Sequence, residues 1–154
     1  MRKGRALVVL GDLHYHAGRH EESAARFDEA LQLARDVDDR WGEGLAAIGL
    51  GFTSGPPDSR RHLEHTLRLT RATGDRWTAC MALTGLGMIL ADAGDSADAI
   101  NHYRQAINLA QEVGDKWWEA KARTGLTRLR AHLNLPLPTI RALSGGSVSQ
   151  RQSQ

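Results

Sequence analysis

The sequence predicts an all-α solenoid of three helix pairs followed by a capping helix. Three observations predict it. An acid-base-tryptophan tripeptide recurs three times, apolar residues recur at three- and four-residue steps, and glycines mark the breaks between the periodic stretches. Self-similarity at a period of roughly 20–50 residues is the mark of a repeat architecture. The tripeptides are Asp39-Arg40-Trp41, Asp75-Arg76-Trp77 and Asp115-Lys116-Trp117, so the tryptophans stand 36 and 40 residues apart. Met1 lies 40 residues before Trp41, which divides the chain into units 1–40, 41–76 and 77–116, a helix over 117–133, and a Pro-containing turn and tail over 134–154.

The first unit opens on Leu7 and Leu10-Gly11, breaks at Ala17-Gly18-Arg19-His20, and resumes with Phe27 and Ala30. Its second helix closes at Asp38, a residue type that tolerates the left-handed conformation usually given to glycine. The second unit is four residues shorter, its first helix is cut at Ser54-Gly55-Pro56-Pro57, and Thr66 stands where the other units have alanine. In the third, Leu83, Leu86 and Leu90 and then Ala99, Tyr103, Ala106, Ile107 and Ala110 follow the helical period. Gly94 suits a helix end, and Asp95 or Ser96 can cap the next helix. Gly74 and Gly114 fall where second helices stop, with Asp75 and Asp115 at the N-caps that follow.

Gly49 and Gly51, Gly85 and Gly87, then Gly125 and Thr127 lie eight and ten residues after each tryptophan, and Gly11 shares the frame of Gly51 and Gly87. A glycine inside a helix costs about 1 kcal/mol relative to alanine. The recurrence therefore points to close helix approach, with Ala30 and Ala106 as the small residues opposite. The helix over 117–133 is expected to pack Ala120, Leu126 and Leu129 inward and to carry Lys121, Arg123, Arg128 and Arg130 outward, the polar outer face of a cap. Pro136 ends it by Leu135. Ile140 and Leu143 suit one short turn, and the Gly/Ser/Gln/Arg composition from Ser144 onward predicts a disordered tail.

Leu7, Leu10-Gly11, Gly18, Phe27 and Ala30, and again Leu83, Leu86-Gly87, Gly94, Ala99, Tyr103 and Ala106, resemble the tetratricopeptide repeat pattern over roughly residues 4–133. The resemblance implies a right-handed solenoid and a protein or peptide interaction module. The long period resembles the C-terminal regions of large actinobacterial transcriptional activators and signalling ATPases. That likeness implies an alternative: an effector-sensing or self-associating regulatory segment of a larger protein.

Composition narrows the function classes. The 154 residues carry a net charge of +2, and the arginines are interspersed with acids instead of gathered on one face, which argues against direct nucleic-acid binding. No run reaches the ~18–20 apolar residues of a membrane span, and no secretory signal is evident, so a cytoplasmic setting is expected. The single cysteine excludes a disulfide framework within the chain. His14, His16 and His20, with His62 and His65, lack a carboxylate at metal-ligand spacing and read as groove or surface histidines. Cys80 reads as a small buried hydrophobe. Gly49-Leu50-Gly51 and Gly85-Leu86-Gly87 lie inside helices and do not continue as a phosphate loop. No cofactor and no catalysis are expected.

Function is therefore expected in binding. The first helix of each pair builds the inner face of such a solenoid. The matching positions are Val8, Asp12, Tyr15 and His16, then Ile48 and Phe52, then Thr84, Met88 and Asp92, then Lys121, Thr124, Arg128 and His132. This groove is acidic and aromatic at one end, apolar in the middle and basic at the other, which suits a peptide with apolar anchors and a carboxylate. Trp41, Trp77 and Trp117 share one repeat position and are assigned to packing between repeats, whereas Trp118 breaks the pattern and can serve core or interface. The apolar, uncapped first helix offers a surface for a homo-oligomer.

Overall fold

The computed structural model describes residues 2–135. Seven helices follow one another: α1 (Arg2–His16), α2 (His20–Asp36), α3 (Arg40–Thr53), α4 (Asp58–Thr73), α5 (Arg76–Asp92), α6 (Ser96–Val113) and α7 (Lys116–His132). The turn and tail expected from Pro136 onward lie outside the described residues.

Local chemistry sets the boundaries. Asp39, Asp75 and Asp115 cap α3, α5 and α7, accepting from the backbone N–H of Gly42, Thr78, and both Trp117 and Trp118. Each cap satisfies donors that a helix start leaves open. Gly74 and Gly114 end α4 and α6 at φ 73° and 75°, and Asp38 adopts the same left-handed turn at φ 52°. Asp95 precedes α6 without a side-chain cap bond. Helix α3 stops at Thr53, and α4 begins only after the cis Pro56-Pro57 bond, so the break expected in the second unit is its turn between helices.

Consecutive helices pack side by side, and α1, α3, α5 and α7 also touch one another in series. This second set of contacts makes them one layer of the solenoid. The recurring glycines explain the spacing. Phe27 of α2 is held between Gly11 of α1 and Gly49 of α3, where an added Cβ would lie 2.7 and 2.3 Å from its ring. Leu63 of α4 sits between Gly51 and Gly85 in the same way, and Tyr103 of α6 between Gly87 and Gly125. Sequence reading expected bare backbone approach opposite Ala30 and Ala106. The structure instead fills each double notch with one large side chain, and all three are buried.

Two apolar clusters result. Leu7, Phe27, Ala30, Leu31, Ala46, Ala47 and Leu50 form the first. The second runs from Ile48 and Leu63 through Leu83, Leu86, Tyr103 and Ala110 to Ala122 and Leu129. Helix α3 contributes to both. Ala122, not Ala120, is the inward alanine of α7: Ala122 is fully buried while Ala120 is exposed.

Candidate functional site

The helix layer α1, α3, α5 and α7 carries a chain of clefts. The first, of about 290 Å³, brings together Val8, Asp12, Tyr15 and His16 of α1, Ile48 and Phe52 of α3, and Lys121 of α7. A second, of about 610 Å³, is walled by Met88 and Asp92 of α5 and by Lys121, Thr124, Arg128 and His132 of α7. A third, of about 350 Å³, has Tyr15, Phe52, Met88 and Asp92 in its wall and Pro56 at its rim. Shared walls join the three. Thr84 does not take part: it is fully buried, and its hydroxyl donates to the Cys80 carbonyl at 2.9 Å.

The packing assignment of the tryptophans holds only in part: Trp41 and Trp77 touch neighbouring units, yet none of the three is enclosed. Trp41, Trp77 and Trp117 are 40%, 41% and 62% exposed, and all three line the first cleft. Each stands in the first turn of its helix, two residues after the capping aspartate. Trp118, left open by the sequence, is the buried one at 6% exposure. Its ring meets Trp117 edge to face, with centroids 4.6 Å apart.

Polar neighbours fix these rings. The Trp77 indole Nε1 donates to Asp115 Oδ2 at 2.9 Å, so one aspartate both caps α7 and orients the ring of the preceding unit. The Arg5 guanidinium lies 4.9 Å from the Trp41 ring centre and the Lys121 ammonium 4.7 Å from that of Trp117. At exposed sites such stacking contributes roughly 0.5–1 kcal/mol each. Tyr15 meets His16 and His20 edge to face, each pair of centroids 5.5 Å apart. Desolvation by the surrounding walls pushes the Asp12 carboxyl up, and His16 pulls it partly back. Burial raises the Tyr103 hydroxyl at the floor of the second cleft, with Asp92 adding and Arg128 opposing.

The other chemical candidates take structural roles. Cys80 is fully buried, its thiol 3.4 Å from the Ala106 carbonyl, and desolvation pushes it up to about 11, where little thiolate forms at neutral pH. Arg19 Nε donates to His14 Nδ1 at 2.9 Å, and His65 lies 2.9 Å from Glu43. Among the described residues no three His, Cys, Asp or Glu side chains group as a metal site. No helix among them is long and apolar enough to cross a membrane.

Sequence reasoning missed the tryptophans and Met81 as cleft residues. A usable signal was present for the former: a large aromatic directly after an N-cap and a base has few neighbours on its own turn.

Comparison with known families agrees with this architecture. Tetratricopeptide repeat models match residues 6–40 and residues 56–112, the first covering α1 and α2 and the second α4 to α6. The interval between them holds α3, and α7 also lies outside both matches. No curated protein matches the chain. Paired helices, glycine notches holding a large side chain, and two family matches over α1–α2 and α4–α6 lead to one assignment: the chain belongs to the tetratricopeptide repeat family.

Proposed function

We propose that the chain is a protein-interaction module whose helix layer α1–α3–α5–α7 binds an extended or helical segment of a partner protein. Tetratricopeptide repeats generally mediate protein–protein interactions. The observation that carries the specific reading is the row of three half-exposed tryptophans beside Tyr15 and Phe52. Exposed aromatics lining a concave surface are the usual anchors of binding energy. Lys121 and Arg128 supply cations for a carboxylate, and Asp12 supplies an anion in the first cleft, which it shares with Lys121.

A small effector, bound by a regulatory segment of a larger cytoplasmic protein, is the second reading. It rests on the first cleft, whose 290 Å³ lies at the lower edge of small-ligand cavities, about 300–1,000 Å³. The peptide reading is favoured because this cleft continues through shared walls into two others.

A random-peptide display library tests it, panned on the wild-type chain and on the Trp77→Ala/Phe52→Ala variant, with circular dichroism confirming equal helix content. The wild type should enrich peptides carrying apolar anchors. Binding of those peptides should fall roughly thirtyfold or more in the variant, the loss expected for a hot spot worth about 2 kcal/mol. Unchanged affinity in the variant would remove the groove reading.

A further inference from the structure

Helix α1 presents an apolar stripe that nothing in the described chain covers. Ala6, Val9, Leu10 and Leu13 fall on one side of it, with Ala17 just past its end, and all five are exposed, Val9 by 57% and Leu13 by 59%. In the repeat frame this is an interior face. Ala6 corresponds to Ala46, Ala82 and Ala122, all fully buried, and Leu10 to the buried Leu50 and Leu86.

A large side chain inserted from a preceding pair, as at the other joints, does not fit there. Val9 stands in the frame of Gly49, Gly85 and Gly125, the notches that receive Phe27, Leu63 and Tyr103 from the preceding pair. A Cβ at those glycines would meet the inserted side chain at 2.3, 2.9 and 2.5 Å, and Val9 adds two methyls beyond the Cβ. The opposite end follows the same rule. Thr127 of α7 replaces the glycine of the Gly11, Gly51 and Gly87 frame, where no described helix inserts a large side chain.

We propose that this face joins the α1 of a second copy of the chain, antiparallel about a two-fold axis between Val9 and Leu10. That register sets Val9 against Leu10 and the small Ala6 against the large Leu13, so the stripe complements itself. Charge agrees. Arg5 and Asp12 are seven residues apart and share one edge of α1, and in an antiparallel pair each edge faces the same edge of the other copy. Arg5 of each copy then lies within a turn of Asp12 of the other. Arg5 lies over the Trp41 ring and Asp12 borders the first cleft, but among the described residues neither makes an ion pair within its own chain. The opposed helix dipoles add in the same direction. One helix face per copy falls in the weak class of interface, below about 1,200 Å², so the dimer is concentration-dependent.

Sedimentation velocity on the full chain, from low to high micromolar, tests the interface. The wild type should shift from monomer toward dimer across that range. Leu10→Glu/Leu13→Glu should stay monomeric, with helix content unchanged because both positions are exposed. Should that variant lose helix content, Arg5→Glu decides instead: it removes two pairs and should weaken the dimer about tenfold. Arg5→Glu/Asp12→Arg should then restore it. A wild type that is monomeric throughout, or a dimer indifferent to Arg5→Glu, overturns the proposal, as does a charge-swapped chain no better than Arg5→Glu.

Discussion

The joints between successive helix pairs share one shape and differ in chemistry. At α2–α3 the ring of Phe27 fills the notch between Gly11 and Gly49, and Glu43 accepts from Arg35 at 3.0 Å with His65 2.9 Å away. At α6–α7 the ring of Tyr103 fills the notch, and Glu119 accepts from Gln111, Arg123 and Lys116 at 2.9–3.0 Å. The middle joint, α4–α5, has Leu63 in its notch and Ala79 in the frame of the two glutamates. The Thr78 hydroxyl beside it is buried with no hydrogen-bond partner, a loss of about 1–3 kcal/mol. The steric clamp is therefore the indispensable part of the repeat, and the polar pin is optional. The middle joint, next to the shortened unit, is the least held.

The largest test of that contrast empties a clamp. Phe27→Ala leaves two glycine notches facing a void and should destabilise the chain by about 3–5 kcal/mol. Leu63→Ala should cost less, about 2–4 kcal/mol, since less volume is removed. Urea unfolding measures both, and equal losses would show that the aromatic ring adds nothing. The second test overfills a clamp. Gly49→Ala sets a methyl 2.3 Å from the Phe27 ring, and the strain should cost about 1–3 kcal/mol despite alanine's better helix propensity. A stabilised Gly49→Ala chain would mean that the ring can step aside.

The third test uses pH. Hydrogen bonds from Gln111, then Arg123 and Lys116, pull the Glu119 carboxyl down to about 2. At Glu43, burial pushes upward, but the bonds from Arg35 and His65 prevail and hold it below the ordinary range. A carboxyl depressed in the folded chain stabilises fully above its unfolded value, near 4.5, and that contribution is lost as pH falls toward 2. Thermal unfolding midpoints should therefore drop between pH 4.5 and 2. In Glu119→Gln that acid-dependent drop should be smaller. An identical pH profile in the variant would assign the acid sensitivity to other carboxylates.

The sequence made legible what is decided locally. Asp75, Asp115, Gly74 and Gly114 mark helix ends by turn chemistry that involves only their own neighbours. The frame of Gly11, Gly51 and Gly87 was equally plain, though its occupant was misread because a notch and its filling side chain lie twelve or sixteen residues apart, on different helices. Trp41 and Trp77 touch neighbouring units as expected, but all three tryptophans stay partly exposed, because recurrence says that a position is equivalent, not that it is inside. Thr84 and Ala120 failed for a related reason: one step along a helix turns a side chain by about 100°. Glu43 and Glu119 drew no expectation from the sequence, since a charged residue reveals its partners only when the neighbouring helix is placed.

The smallest expected effect restores the missing pin. Arg71 lies six residues before Trp77, as Arg35 lies six before Trp41 and Gln111 six before Trp117, so the donor side of the middle joint is already present. Ala79 is half-buried where Glu43 and Glu119 stand, and Arg71 is exposed. Ala79→Glu should let the new carboxylate meet Arg71 across the joint and gain about 0.5 kcal/mol, the scale of a partly exposed pair. Ala79→Gln controls for side-chain bulk, and adding Arg71→Ala should cancel the gain. If Ala79→Glu stabilises and Arg71→Ala does not reverse it, the charge acts elsewhere and the three joints are not equivalent. If the gain reverses, their difference reduces to one side chain at one frame position, placed on a common steric clamp.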